Sequence, residues 1–206
     1  MKKILLLLTL VASYAFASSA AKTHDGFFAS FSMGLGYQSI DYVRGDNQIV
    51  PFSESGLTTD FDFKIGGRIM NNLLLHATLA GTTLTEKFDG VNNNSNRFKY
   101  RANMSLFGVG TTYYFLDNFL ATASLGIVQF HANDNVMMFN ATVTSGFSDD
   151  IHAGFGFQIG GGKEWWIADE WSLGATAAIL YGFAQNDAEA TLSSFAISLR
   201  LTVTFN

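Results

Sequence analysis

Along most of this chain, large apolar residues alternate with small or polar residues at every second position. The clearest case is the stretch FAISLRLTVTF, residues 195–205, in which the odd positions are all Phe, Ile, Leu or Val. The even positions carry alanine, serine, threonine and Arg200. Because successive side chains of a β-strand point to opposite faces of a sheet, this period of two predicts a strand with one apolar and one polar face.

The same alternation recurs along the chain and predicts an all-β protein. Eight strands are expected, at residues 27–37, 61–69, 73–85, 98–115, 119–131, 151–159, 171–183 and 195–205. In the third, fourth and fifth of these the pattern leaves open which residues share a face. Each strand is long enough to cross a membrane, which takes about 9–11 residues, whereas no run of about 18 apolar residues predicts a membrane helix after residue 21.

The connections between the predicted strands alternate in length. Short turns are expected at 71–72, 116–118 and 168–170, and long polar connections at 42–58, 86–97, 132–149 and 185–191. This sequence of turns fits an eight-stranded antiparallel up-and-down barrel with both termini on the short-turn side. Outer-membrane barrels place short turns in the periplasm and long loops outside the cell.

Composition indicates which solvent the apolar face meets. Charged residues make up only 14% of the chain, against about 25% in an ordinary soluble domain. A soluble eight-stranded barrel, the lipocalin-type alternative, would need Lys and Glu on its outer face. Here the polar face is mostly glycine, serine, threonine and alanine, which suits the narrow interior of a small barrel. We therefore predict a transmembrane β-barrel whose bulky apolar side chains face lipid.

The N-terminus predicts export. Lys2 and Lys3 precede an apolar stretch at residues 4–12 and then a region of small residues, which is the layout of a secretory signal peptide. We expect residues 1–20 to be the signal peptide, with cleavage between residues 17 and 21. Residues 21–206 would then form the barrel domain in the cell outer membrane.

Charge and cysteine content narrow the possible partners. Loss of the two signal-peptide lysines changes the net charge from −5 to −7. This acidic balance argues against a nucleic-acid partner, because phosphates need a basic surface. The chain has no cysteine for a disulfide or a lipid anchor, so the fold itself must hold the mature protein in the membrane.

Two stretches of the sequence resemble hairpins of small Gram-negative outer-membrane barrels of the OmpA-like and OmpW-like kind. They are LFGVGTTYYFLDNFLATASLGI at 106–127 and GFGFQIGGGKEWWIADEWSLGATAAILYGF at 154–183. In both, a glycine-alternating strand runs through aromatic residues into a short acidic turn, and the next strand opens with an aromatic residue.

The resemblance implies an eight-stranded barrel without a cofactor. Its expected partners are outer-membrane lipid and, during biogenesis, periplasmic chaperones and the barrel assembly machinery, and we expect a monomer. Such families usually end on an aromatic residue, whereas this chain ends Phe205-Asn206.

The predicted interior contains titratable side chains that could form an ion-pair plug or a gate. The candidates are Asp62, Lys64, Arg68, His76, Glu164 and Arg200. Arg68 and Glu164 lie three and four residues before predicted periplasmic turns, so we expect them at a similar depth, with Arg200 nearby. An unpaired charge inside a narrow barrel is costly, and Glu164 is the candidate partner for the arginines. A gate for ions or small solutes is what the resemblance to OmpA-like barrels implies.

The glycine-rich run before Lys163 is not a phosphate-binding loop. That motif needs glycine five positions before its final Gly-Lys and Ser or Thr after the lysine, but this chain has Phe157 and Glu164 there. We expect Gly154, Gly156, Gly160 and Gly162 to line the narrow interior. Aromatic residues near the short turns predict a periplasmic girdle at the level of the lipid headgroups, formed by Tyr113, Phe115, Phe119, Trp165, Trp166, Trp171 and Phe205.

Enzymatic activity is the weakest hypothesis. A lipid hydrolase or acyltransferase needs a Ser or Thr nucleophile near a histidine and a carboxylate. His131 and His152 flank a connection that contains Ser145, Ser148, Asp149 and Asp150, but nothing in this spacing requires a triad. We predict no catalytic or metal site.

The loop sequences give no specific function. The tripeptide RGD at 44–46 and the polar stretch DGVNNNSN at 89–96 are interpreted as ordinary loop sequence, in which Gly, Asp and Asn are common. The predicted role is therefore structural or interactional, through four outside loops. A narrow channel for small or hydrophobic solutes is the first alternative, and a lipid-modifying enzyme is the second.

Overall fold

The computed structural model describes residues 22–24, 26–43, 52–84, 88–91, 97–134, 154–185 and 191–206. The predicted signal peptide, the RGD tripeptide and residues 145–152 of the catalytic hypothesis lie outside the described residues. Within the described ranges, no helix has the length and hydropathy needed to cross a membrane. The strands are β1 (Phe27–Val43), β2 (Phe52–Met70), β3 (Leu73–Leu84), β4 (Phe88–Val91), β5 (Arg97–Phe115), β6 (Phe119–Asp134), β7 (Gly154–Trp166), β8 (Trp171–Gln185) and β9 (Thr191–Phe205).

Eight of these strands form a closed barrel. They pair antiparallel with their neighbours in the chain, β9 pairs with β1, and a β3–β5 pairing completes the ring. The prediction of an eight-stranded antiparallel up-and-down barrel is confirmed. The short β4 was not predicted; it pairs only with the outer end of β5, where Phe88 faces Tyr100 and Val91 faces Arg97.

Partner residues traced around the barrel show how far the strands are staggered. The series runs through Phe28, Gly66, His76, Gly110, Ser124, Gln158, Leu180 and Ala196, and returns to β1 at Gln38, ten residues beyond its start. With a rise of about 3.3 Å per residue and strands about 4.8 Å apart, this stagger tilts the strands by about 40° and gives a radius of about 8 Å. Such a barrel is only wide enough for its own side chains.

The outward face of the barrel is apolar. Leu35, Leu199 and Leu201 are 69%, 73% and 76% exposed, and large apolar side chains on all eight barrel strands are exposed in the same way. The inward face carries buried hydroxyls such as those of Ser32 and Thr204. A monomeric soluble protein does not expose a continuous apolar belt of this extent, so the belt faces lipid and the soluble-barrel alternative is excluded.

Inward glycines allow neighbouring strands to pack closely. A Cβ added at Gly162 would overlap the backbone carbonyl of Ala175, and one at Gly154 would overlap that of Phe183. A larger residue at these two positions is therefore excluded by the backbone of the adjacent strand and not by the opposite wall of the barrel.

Candidate functional site

The interior is filled in three layers of different character. Near the outer end lies an apolar cluster, with Phe130 packed against Met104, Leu106, Val128 and Leu180. Near the periplasmic end lies a second apolar cluster, formed by Phe28, Leu74, Tyr114 and Leu120. The buried ion pairs of Asp60, Asp62, Lys64 and Arg200 lie between the two clusters.

The middle layer is built around Arg200 of β9. Its Nη2 donates a hydrogen bond to Asp60 Oδ2 at 2.8 Å, and its Nη1 donates to Asp62 Oδ2 at 2.8 Å. Nε forms a further ion pair with the Asp60 carboxylate and donates to Ser198 Oγ at 3.1 Å. All four side chains are buried.

Lys64 and Gln158 complete this charge network. Lys64 Nζ lies 2.7 Å and 2.8 Å from the two carboxylate oxygens of Asp62, and Gln158 Nε2 donates to Asp62 Oδ2 at 2.6 Å. Two carboxylates thus face two cations, so the network is formally neutral. Such neutrality matters because an unpaired charge in this environment would be strongly destabilising.

A glycine on the intervening strand brings the two sides of the network together. Arg200 on β9 and Asp60 on β2 are both paired with Gly34 of β1. Since Gly34 has no side chain, the guanidinium can reach across β1 to the carboxylate. The ion pair therefore depends on a strand that contributes no charge to it.

Glu164 takes hydroxyl donors instead of a cation. Tyr114, Ser172 and Thr204 donate to its carboxylate at 3.2, 2.6 and 2.8 Å. The expectation that Glu164 pairs with the buried arginines is wrong. Glu164 lies in the periplasmic layer. Arg200 lies deeper in the barrel, where it forms ion pairs with Asp60 and Asp62.

Arg68 does not enter the interior. It is exposed at the periplasmic end of β2, where the register with β3 shifts between Arg68 and Met70. At this depth the side chains of Phe28 and Leu74 fill the barrel, so a long cationic side chain stays outside. The prediction that Arg68 belongs to the buried ion pairs is therefore wrong: Arg68 pairs with the inward residue Leu74, but its side chain is exposed at the end of the barrel.

His76 lies inside the barrel among hydroxyl groups. Its Nδ1 is 3.0 Å from Thr78 Oγ1 and its Nε2 is 3.0 Å from Thr112 Oγ1, while the Phe28 ring packs beside it. These contacts give His76 a packing role. Within the described part of the chain, no group of three or more His, Asp or Glu side chains is arranged to hold a metal ion.

Asp60 and Tyr114 are among the interior residues that the sequence analysis did not single out. Asp60 stands two residues before Asp62 and four before Lys64, so the alternation already places it on the inward face. It was not included because the predicted strand began at residue 61. Tyr114 lies in a stretch whose phase the pattern left open. The donor from Tyr114 to Glu164 could be found only once that phase was known.

The segment before β1 covers the periplasmic end of the interior. The His24 ring stacks on Tyr114 with centroids 3.4 Å apart, and its Nε2 lies 3.2 Å from Asn118 Oδ1. Trp166 packs 5.0 Å from the same histidine ring. Trp166 therefore faces inward and does not belong to the girdle, because consecutive strand residues such as Trp165 and Trp166 point to opposite faces.

The other six aromatic residues of the predicted girdle lie on the outward face at the periplasmic end. Trp171 packs against Phe205 with centroids 5.2 Å apart, and the Phe115 ring lies 6.2 Å from both Tyr113 and Phe119. Trp165 is exposed on β7. Aromatic side chains concentrate at the two interfaces of a bilayer. In this protein, the apolar belt begins directly beside these aromatic residues. The molecule is an outer-membrane β-barrel.

Comparisons with known proteins find similarity to solved structures at low sequence identity. No protein-family model matches the chain, and no curated protein matches it. The structure of the outer-membrane protein OprG from Pseudomonas aeruginosa has 8% identity and a TM-score of 0.45, over 90% of this chain and 100% of OprG. Neisserial surface protein A has 12% identity and a TM-score of 0.44, over 86% and 97%. The Escherichia coli outer-membrane protease OmpT has 10% identity and a TM-score of 0.41, over 92% and 99%.

Proposed function

We propose that this protein is a sealed barrel that anchors surface-exposed strand ends and connections in the outer membrane. Its role is then structural or interactional. The observation that carries this proposal is the filled interior: an apolar layer at each end encloses a neutral, hydrogen-bonded charge network.

One cavity beside the charge network, within the described part of the chain, is too small for a solute. It lies between Arg200 and Glu164, is lined by hydroxyls such as those of Ser30, Thr112 and Thr202, and has a volume of about 20 Å³. A single water molecule needs roughly 10–15 Å³ by the same measure. This cavity supports a plugged interior and not a conduit.

The length of the strands supports a surface role. β1, β2, β5 and β6 have 17, 19, 19 and 16 residues, whereas crossing the membrane takes about 9–11. The additional residues lie on the side opposite the short turns, where β4 adds to β5. The barrel thus raises a small platform above the outer surface.

The alternatives have less support. A channel requires a continuous polar path past Arg68, Glu164 and Arg200, but Arg68 is outside and two apolar layers interrupt the path. The enzyme hypothesis depends on His131 and on residues 145–152; the side chain of His131 and all of 145–152 lie outside the described residues. The two histidines whose side chains are described, His24 and His76, contact an amide oxygen and hydroxyl groups.

An epitope tag inserted between Asn93 and Asn94 tests surface presentation. In the sequence they stand between β4 and β5, whose adjoining ends lie on the side opposite the short turns, so antibody should label the tag on intact cells. The same tag between Asn71 and Asn72, in the β2–β3 turn, should be labelled only after the outer membrane is permeabilised. Folding of both variants is checked by faster migration on unheated than on boiled SDS gels. Labelling of the 71–72 tag on intact cells, or protection of the 93–94 tag, would contradict the proposal.

A further inference from the structure

Lys163 occupies an unusual position on the lipid-facing surface. On the outward faces of β7, β8 and β9, it is the single charged side chain among the described residues. It lies near the periplasmic end of β7, two residues before the girdle residue Trp165. Placing a cation on this face is costly unless it reaches the interface or meets an anion.

The immediate surroundings of Lys163 hold it at the edge of the belt. Its Nζ lies 4.4 Å from the centroid of the Phe119 ring, a cation–π contact with the opposite residue on β6. Its partner on β8 is Ala175. The aromatic face orients the ammonium but does not neutralise its charge.

Ala175, the partner of Lys163 on β8, lines an apolar groove. The groove has a volume of about 700 Å³. Its floor is formed by Gly161, Ala175 and Ala177, and its wall by Leu35, Leu199 and Leu201. The small floor residues create the groove because the surrounding leucines stand out from the surface.

The groove continues toward the middle of the membrane. A second hollow of about 260 Å³ shares Ala177 with the first and lies among Ile159, Ile179 and Ile197. Together the two hollows extend along β8 from Ala175, the partner of Lys163, to Ile179, four residues further from the periplasmic end. Their shape suits an extended hydrocarbon chain that lies against the barrel.

We propose that Lys163 and this groove bind one anionic glycerophospholipid of the periplasmic leaflet. The lipid phosphate pairs with the Lys163 ammonium at the interface, and one acyl chain lies along Gly161, Ala175 and Ala177. The charge and the groove match the two ends of a single lipid molecule. The site is independent of whether the barrel interior conducts.

Selective quenching of tryptophan fluorescence tests the proposal. The protein is folded into phosphatidylcholine vesicles that contain a minor fraction of either brominated phosphatidylglycerol or brominated phosphatidylcholine. Trp165 and Trp171 report the lipids beside Lys163. One lysine near a membrane surface is worth about 1 kcal/mol toward an anionic lipid, so the relative binding constant for phosphatidylglycerol is expected to be about fivefold higher. Lys163→Met should reduce this ratio to about one, and Lys163→Arg should keep it.

Matched variants separate this site from general effects of charge and volume. Arg68→Met removes an exposed cation on the opposite side of the barrel and should leave the ratio unchanged. Ala175→Leu fills the groove and should reduce the ratio, whereas Ala77→Leu on β3 should not. Each variant is first shown to fold by its migration on unheated SDS gels. A ratio near one for the unmodified protein, or a ratio that survives either Lys163→Met or Ala175→Leu, would overturn the proposal.

Discussion

Replacing Arg200 with leucine is expected to lower the free energy of unfolding by about 3–5 kcal/mol. The substitution leaves Asp60 and Asp62 buried close together, with Lys64 as the remaining cation of the network. Removing one partner of a buried ion pair is costly mainly because the other charge stays behind without compensation. Urea unfolding in lipid vesicles, followed by tryptophan fluorescence, measures the loss.

A double variant identifies the cause of that loss. Arg200→Leu combined with Asp60→Asn restores a neutral network, in which Asp62 still pairs with Lys64. It should therefore be more stable than Arg200→Leu alone. Arg68→Leu, which removes an exposed arginine, is the matched control and should cost well under 1 kcal/mol. If Arg200→Leu unfolds like the unmodified protein, or if Asp60→Asn brings no recovery, the proposed network does not hold the barrel together.

Leu199→Arg is expected to destabilise the barrel by about 2–4 kcal/mol, because it places a charge on the lipid-facing side near the middle of the bilayer. Leu116→Arg, in the short turn between β5 and β6, should cost only about 0–1 kcal/mol at the interface. Leu199 and Leu116 are 73% and 79% exposed, so the two positions are almost equally accessible. They differ mainly in their depth in the membrane.

This pair of variants distinguishes lipid from water as the solvent of the belt. In a soluble barrel, an exposed leucine can become arginine at either position with little effect on stability. Equal and small costs for Leu199→Arg and Leu116→Arg would therefore contradict a membrane-facing belt. The same vesicle unfolding assay measures both.

The sequence predicted the fold well because period two is a direct consequence of strand geometry. On β9, the odd positions from Phe195 to Phe205 do face outward, and Arg200 is buried inside. The pattern also separates Trp165 from Trp166, although both were assigned to the girdle by residue type alone. Residue type predicts that both tryptophans lie near the membrane interface. Only the period-two alternation predicts which of them points outward and which points inward.

The pairing inside the barrel could not be predicted in the same way. Period two gives the direction of a side chain but not its depth relative to other strands, which depends on the stagger of ten residues around the barrel. Arg200 reaches Asp60 because both lie beside Gly34, a relation between three strands. Arg68 pairs with the buried Leu74 and so follows the predicted alternation, but it lies at the end of β2, where its side chain is exposed, and the alternation does not show where a strand leaves the filled interior.

Conductance in planar lipid bilayers tests most directly whether the interior is closed. The purified, refolded protein is compared with Glu164→Ala, which removes the carboxylate from the periplasmic layer and leaves Phe28, Leu74 and Leu120 in place. We expect no channel events from either protein, since two apolar layers and the Arg200 network fill the barrel. Steady single-channel conductance from the unmodified protein would contradict the sealed barrel.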